Sequence, residues 1–227
     1  MKIEMPQQPN RMMPGVEKPA IREEADRMLR EYGILEALRV YGEPYLHGSY
    51  ELDLMVWPEL DIYLLVSGFQ SRHVYKIIES MHDCVPPTDV LMTNKIDHAS
   101  RFGPSGYVHI DYMLMHSDVE WKIDLGVVDK NKHQWPLREY NSGLLTRLTP
   151  ELRSTIVDIK TKAVCSSLYR RSTWQLVERK GTFYSGDIIT AVLDHGVADF
   201  DGFTKFLRSQ RGIDFRSEEL NHQIAQQ

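Results

Sequence analysis

The fold is decided by the stretch from Tyr45 to Val66, which reads Tyr-Leu-His-Gly-Ser-Tyr-Glu-Leu-Asp-Leu-Met-Val-Trp-Pro-Glu-Leu-Asp-Ile-Tyr-Leu-Leu-Val. After the Gly48-Ser49 pair and nine intervening residues comes Glu59-x-Asp61, which opens an apolar run. Because successive side chains of a strand alternate between faces, Glu59 and Asp61 are expected on the same side. Two carboxylates at the mouth of a buried strand need a positive partner, and oxygen-only ligands suit Mg²⁺ or Mn²⁺.

The composition is that of an ordinary globular protein. The 227 residues are 42% hydrophobic and 26% charged, and the formal net charge of −5 disfavours a dedicated nucleic-acid surface, although it is compatible with a local basic face. No apolar run approaches the length of a membrane span, and the first residues lack a signal-peptide core. Cys84 and Cys165 lie far apart without CxxC spacing, which predicts buried thiols of a cytoplasmic protein and no disulfide.

The first part of the chain mixes strand and helix patterns. A helix is expected from Pro19 to Tyr32, because apolar residues recur there at helical spacing and Gly33 can end it. The segment from Ile34 to Val40 is compatible with a helix or a strand. Ser49 is expected to cap a short helical turn that runs through Met55. Further expected elements are strands at 45–47, 59–66, 89–96, 107–115 and 119–128, a turn at 103–106 and a helix at 70–81.

The last part of the chain is helical. Thr149-Pro150-Glu151 combines a capping Thr, a Pro at the first helical position and an acid in the first turn. Two more helices are expected at 185–195 and 199–210. This order predicts an α+β fold, in which a mixed sheet with flanking helices is followed by an α-helical domain. The expected limits are a flexible arm at 1–18, a catalytic domain at 19–135 and a helical domain at 136–227.

A second acidic tripeptide, Glu51-Leu52-Asp53, resembles the first but has a different setting. Glu51 follows Ser49 by only two residues, inside a segment that has the pattern of a helical turn. Residues two apart on a helix point in different directions, so Glu51 and Asp53 cannot share a metal ion. We therefore expect them on a solvated helix face.

A third carboxylate has two candidates. Asp111 and Asp124 each lie in an apolar strand, which is a rare place for an acid. The predicted hairpin makes these two strands neighbours. Periodicity alone leaves both candidates open. The nearby His109-x-Asp111 and His82-x-Cys84 pairs are too sparse to predict a metal site.

Taken in order, Gly48-Ser49, Glu59-x-Asp61 and Lys122-Ile123-Asp124-Leu125 resemble the motifs of the DNA polymerase β-like nucleotidyltransferase superfamily. The pattern of that family is a hydrophobic-Gly-Ser, an acid-x-acid strand and a later strand with one more Asp. The resemblance covers about residues 44–128, and it is closest to small antibiotic-modifying and minimal nucleotidyltransferases that carry a C-terminal helical domain. Asp124 matches the third motif better than Asp111, whereas Glu59 stands where Asp is commoner.

The resemblance implies a magnesium-dependent transferase that binds ATP or another NTP and releases pyrophosphate. Gly48 and Ser49 are expected to bind the triphosphate. Glu59 and Asp61 are expected to hold one Mg²⁺ ion, and Asp61 and Asp124 a second, with Asp124 as the candidate base. Lys160 and Lys162, which flank the apolar stripe of the helix that starts at Thr149, are candidates for phosphate contacts.

The resemblance also suggests the acceptor. A small molecule that carries a hydroxyl, such as an aminoglycoside or lincosamide antibiotic, is expected to receive the nucleotide, because no basic tract is evident. The expected nucleotide is AMP, and the protein would then confer antibiotic resistance. The alternatives are an RNA acceptor, a partner protein, and a non-catalytic nucleotide sensor. The sequence does not predict the oligomeric state.

Overall fold

Five strands form one mixed sheet in a computed structural model that describes residues 18–94, 107–130, 136–166, 168–169 and 182–215. The order across the sheet is β1-β2-β5-β4-β3. β2 and β5 are parallel, and the other neighbours are antiparallel. The strands are β1 (Glu43–His47), β2 (Glu59–Val66), β3 (Asp89–Asn94), β4 (Tyr107–His116) and β5 (Val119–Asp129).

Helices flank the sheet and make up the last part of the described chain. They are α1 (Lys18–Tyr32), α2 (Ile34–Arg39), α3 (Gly48–Glu51), α4 (His73–Cys84), α5 (Pro136–Arg147), α6 (Pro150–Ala163), α7 (Ser185–His195) and α8 (Phe200–Phe206), which continues as a π-helical turn, Leu207–Arg211. The α+β class that the sequence predicts is therefore confirmed. None of the described helices is both long and apolar enough to cross a membrane.

The two faces of the sheet differ in chemistry because side chains alternate along each strand. On one face, residues such as Leu60, Ile62, Ile110, Ile123 and Leu125 are fully buried. They belong to one apolar cluster that also contains residues of α1, α2 and α4. The intervening residues of the same strands, the acids among them, project from the other face.

A tight turn fixes the register between β4 and β5. Ser117 and Asp118 both have positive φ, of 49° and 62°. Two such residues are typical of the two-residue turn that matches the twist of an antiparallel hairpin. The turn thereby aligns Asp111 directly with Asp124.

The chain divides into two compact units, one spanning Glu17–Arg153 and one containing the chain from Ser154 onward. The first unit holds the sheet. The second holds most of α6 together with α7 and α8. The sequence-based domain limits at 19–135 and 136–227 stay a prediction.

Most predicted elements are present, with shifted ends. The ambiguous segment after Gly33 is helical, and Thr149 caps α6 by accepting a hydrogen bond from the Leu152 N–H at 3.3 Å. The helix α5 was not predicted, because its described buried side chains, Asn141 and Leu144, are too few to form an apolar stripe. The predicted turn at 103–106 lies outside the described residues.

Two smaller expectations are wrong. Ser49 is not a helix cap, because α3 already begins at Gly48 and ends at Glu51, well before Met55. Its N-cap is His47, whose side chain makes no capping hydrogen bond. The cysteines form no disulfide, as expected, but Cys165 is exposed and Cys84 is only half-buried. Neither is the buried thiol that the sequence suggested.

We predict that Gly42→Ala destabilises the fold by about 1–3 kcal/mol, because a Cβ at this position would lie 2.2 Å from the Leu65 carbonyl oxygen. Gly143→Ala is the matched control, since a Cβ there meets nothing within 4 Å. In the helix α5 this change should stabilise by about 0.5–1 kcal/mol. Chemical denaturation measures both, and equal effects of the two changes would contradict the contact at Gly42.

Candidate active site

Three acids form a row across the middle of the sheet. Asp61 on β2 is aligned with Asp124 on β5, which is aligned with Asp111 on β4. Residues directly opposite each other on neighbouring strands point to the same face. The same row continues onto β1, where His47 is aligned with Asp61. One polar face of the sheet therefore collects the acids that the sequence scatters along the chain.

Glu59, Asp61 and Asp124 can bind a metal ion together. Each offers a carboxylate oxygen, and these three oxygens lie within 4.8 Å of one another. Such an all-oxygen set suits Mg²⁺ or Mn²⁺. Of the two candidates for the third carboxylate, Asp124 is the one that joins Glu59 and Asp61 in this group.

Gly48 lies against one of these carboxylates. Because His47 is aligned with Asp61, the chain leaves β1 directly beside the acid. Gly48 has a φ of 62°, and a Cβ built on it would lie 2.2 Å from Asp61 Oδ2. Only glycine fits here, for its backbone conformation and for the space that the carboxylate occupies.

Residues of α1 hold the turn that follows Gly48. The Tyr50 hydroxyl donates to Asp26 Oδ1 at 2.6 Å, and the Arg22 guanidinium lies 3.6 Å from the centre of the Tyr50 ring. Arg22 also donates to the Tyr50 carbonyl oxygen. These contacts fix the turn in which Ser49 lies between Gly48 and Tyr50.

Lys122 is a buried cation among the acids. Its ammonium lies 2.7 Å from Glu59 Oε1, 3.1 Å from Asp111 Oδ1 and 3.4 Å from Asp124 Oδ2. Burial alone would lower the pKa of this ammonium, but the facing carboxylates raise it well above its usual range. Lys122 therefore stays charged and bridges β2, β4 and β5.

One ammonium does not balance the carboxylates around it. Burial raises the pKa of Glu59 to about 8, although Lys122 opposes this shift, and the neighbouring Asp61 and Asp124 add to it. At Asp111, burial would raise the pKa, but hydrogen bonds from His109 and the charge of Lys122 lower it. The ionised form of Glu59, one of the three potential metal ligands, is therefore disfavoured, mainly by burial and further by the two neighbouring acids. A divalent cation fits this site.

His109 lies between two carboxylates. Its Nδ1 is 3.1 Å from Asp124 Oδ1, and its Nε2 is 3.3 Å from Asp111 Oδ1. Both His109 and Asp111 are 7% exposed. The sequence made Asp111 a candidate for the third carboxylate but gave no reason to assign His109 to the site, because the relation of His109 to Asp124 depends on the β4–β5 register. The same holds for Lys122, which the resemblance marked only as part of a motif.

His47 and Tyr63 close the β1 side of the row. Their rings lie 4.3 Å apart, and the Tyr63 ring covers Gly126, where a Cβ would approach Tyr63 Cε1 to 2.7 Å. Burial lowers the pKa of His47 to about 4, against the opposing charges of Asp124 and Glu51. His47 is therefore neutral at pH 7.

The remaining acids and lysines of interest lie elsewhere. Glu51 is exposed and accepts a hydrogen bond from Asn141 Nδ2 at 2.6 Å; among the described residues, neither it nor Asp53 joins a metal-binding group. Lys160 is fully buried in α6, whereas Lys162 is exposed with its ammonium 6.0 Å from the Phe200 ring. Their contact with phosphates stays a prediction.

Comparison with solved structures identifies the fold. The Cid1 poly(U) polymerase superimposes with a TM-score of 0.50 at 15% identity, and a cytoplasmic RNA terminal U-transferase with 0.51 at 14%. A mutant of Cid1 bound to MgATP gives 0.52 at 16%. These alignments cover 76%, 78% and 76% of this chain and 48%, 49% and 49% of the others, so the chain spans about half of their length. The chain has the fold of these nucleotidyltransferases.

Comparison of the sequence itself gives no relative. No family model matches the chain, and no curated protein matches it. The fold is therefore established by structural similarity, and the residues of the site are the basis for proposing an activity.

We predict that Gly48→Ala displaces the Asp61 carboxylate and weakens Mn²⁺ binding at least about ten-fold. Gly68→Ala is the control, because Gly68 has a similar φ of 64° but a Cβ there meets nothing within 4 Å. Both changes should cost roughly 1–2 kcal/mol of stability from the backbone alone. Isothermal titration with Mn²⁺ compares the two variants, and equal affinities would contradict the role of the Gly48–Asp61 contact.

We predict that His47 makes stability depend on pH between 6.5 and 4. In this range the folded protein, in which the pKa of His47 is about 4, binds fewer protons than the unfolded chain. The free energy of unfolding should therefore fall as the pH drops from 6.5 to 4, by about 1–3 kcal/mol. His47→Phe keeps a ring against Tyr63 and should remove this component. Urea denaturation across this pH range measures the free energy of unfolding, and His82→Gln, at an exposed position, is the control. Parallel pH profiles of stability for wild type and His47→Phe would disprove the prediction.

Proposed function

We propose that this protein transfers a nucleoside monophosphate from an NTP to the hydroxyl group of an acceptor. The observation that carries the proposal is the group formed by Glu59, Asp61 and Asp124, whose oxygens lie within 4.8 Å of one another. Gly48 packs against one of these acids, and this contact supports binding of a metal-bound triphosphate at the turn that contains Ser49. The shared fold with nucleotidyltransferases supports the same reaction.

Each residue has a role in this reaction. Glu59 and Asp61 would hold a Mg²⁺ ion with the triphosphate, and Asp61 and Asp124 a second one. When bound, Mg²⁺ neutralises phosphate charge and makes the acceptor hydroxyl more acidic. The Ser49 hydroxyl and backbone N–H groups of its turn donate to phosphate oxygens.

The transfer itself is a single displacement. Asp124 accepts the proton of the acceptor hydroxyl, and the acceptor oxygen forms a bond to the α-phosphorus. The bond between the α-phosphorus and the bridging oxygen breaks, and pyrophosphate leaves with the electron pair of that bond. Placement of the two reactants, rather than covalent chemistry by the protein, supplies most of the rate in phosphoryl transfer.

We propose a small polyhydroxylated molecule, of the aminoglycoside or lincosamide kind, as acceptor and ATP as donor. The net charge of −5 favours this over a polyanionic acceptor. A specific observation favours a second candidate, the terminal hydroxyl of RNA. The solved structures of the same fold include a poly(U) polymerase and an RNA terminal U-transferase. The chain spans only about half their length, which leaves the whole-protein activity a proposal.

Label transfer tests the reaction and the acceptor together. The purified protein is incubated with each α-³²P-labelled NTP and Mg²⁺ in the presence of aminoglycosides, lincosamides, a short RNA or a protein extract. We expect label on one acceptor class, and Asp61→Asn or Asp124→Asn should reduce the rate by at least about a thousand-fold, since these groups hold the reacting oxygens. Asp83→Asn, a change of an exposed acid on α4, should have no effect.

The outcomes separate the alternatives. Label on RNA alone would replace the small acceptor by the second candidate, and label on a protein would replace both. Tight NTP binding without transfer to any acceptor would refute the enzyme and favour a nucleotide sensor. Loss of activity in Asp111→Asn, with Asp124→Asn fully active, would refute the assignment of Asp124.

A further inference from the structure

We propose that His109 is a positioning residue that fixes the Asp124 carboxylate for metal binding, and that Asp111 in turn fixes His109. The inference deepens the proposed function, on which its catalytic meaning rests. The contacts of His109 with Asp124 and Asp111 are the same whichever acceptor the protein uses. The proposal depends on contacts among three residues of two neighbouring strands, and the sequence pattern did not predict these contacts.

The contacts of the imidazole are those of a bridge in which both ring nitrogens carry a proton and donate to the two carboxylates, as an imidazolium does. Nδ1 faces Asp124 Oδ1 at 3.1 Å, and Nε2 faces Asp111 Oδ1 at 3.3 Å. Different nitrogens thus serve the two carboxylates. A ring held at both ends cannot turn without losing a contact, and this ring is buried, with 7% of the residue exposed.

Both oxygens of the Asp124 carboxylate are consequently occupied by donors from different strands. His109 on β4 contacts Oδ1, and Lys122 on β5 contacts Oδ2 at 3.4 Å. Two such contacts on opposite oxygens fix the plane of the carboxylate as well as its position. A ligand whose orientation is fixed in advance loses less conformational entropy when a metal ion binds.

A second metal site is the competing explanation for the same residues. Ligand atoms of His109, Asp111 and Asp124 also lie within 4.8 Å of one another. However, Asp111 Oδ1 is already contacted by two nitrogen groups, the Lys122 ammonium at 3.1 Å and His109 Nε2 at 3.3 Å. The geometry therefore favours a hydrogen-bonded support.

Replacements that mimic one nitrogen at a time test the bridge. The amide nitrogen of Asn stands near the place of imidazole Nδ1, and that of Gln near Nε2. His109→Asn therefore keeps the donor to Asp124, while His109→Gln keeps only the contact with Asp111. Partners of metal ligands typically contribute 10–100-fold to metal affinity. We therefore expect His109→Asn to bind Mn²⁺ within about three-fold of wild type. His109→Gln and His109→Ala should bind it about 10–100-fold more weakly.

Mn²⁺ binding is measured by electron paramagnetic resonance, with the metal alone and with a non-hydrolysable ATP analogue. His82→Gln, at an exposed position on α4, is the matched control and should bind as wild type does. Circular dichroism identifies any variant that fails to fold. If His109→Ala fails to fold, the comparison of His109→Asn with His109→Gln still tests the proposal. Both replacements are polar and are no larger than the imidazole.

Two results would overturn the proposal. One is a Kd for His109→Gln equal to that of wild type. The other is a loss of Mn²⁺ affinity in His109→Asn as large as that in His109→Gln. A general packing role of the ring, or direct ligation of the metal by His109, predicts this second result. Failure of the wild type to transfer label to any acceptor would refute the proposed function alone, because the Mn²⁺ affinities of the variants are measured without turnover.

Discussion

Repulsion among buried carboxylates is the constraint on which this site depends. Glu59, Asp61, Asp111 and Asp124 project from one face of the sheet, and the Lys122 ammonium contacts Glu59, Asp111 and Asp124. Burial raises the pKa of Glu59 to about 8, and the neighbouring Asp61 and Asp124 add to this shift in spite of Lys122. The rest of the local structure maintains an unfavourable arrangement, which is typical of a site prepared for a ligand of opposite charge.

The opposite, apolar face of the sheet stabilises the fold that holds these carboxylates together. The apolar residues between the acids are fully buried against α1, α2 and α4. A one-residue slip of any central strand would move acids into that core and apolar residues out of it. The same alternation therefore specifies the register and aligns the three aspartates. Fold and site are consequences of one pattern.

The sequence predicted the elements that depend on local pattern. The strand at Glu59–Val66, the helix ended by Gly196 and the capped start of α6 all follow from spacing and from turn or cap residues. It did not predict α5, which has few buried side chains, nor the role of His109 and Asp111. Their contacts with Asp124 depend on which residues of β4 and β5 are opposite each other, and no local pattern contains that information. The resemblance chose Asp124 from two acids, and the strand register explains why both lie at the site.

The parallel pairing of β2 with β5 has a consequence for the folding pathway. Lys122 and Glu59, which this pairing brings into contact, are 63 residues apart in the chain. Contacts over such separations are entropically expensive to form early, and among the strand pairs of the sheet the parallel pair closes the largest loop. The local hairpin of β4 and β5 can form first and already contains the His109 bridge. The cation site would then be completed only in the last steps of folding, so that a divalent ion binds the finished sheet rather than guiding its assembly.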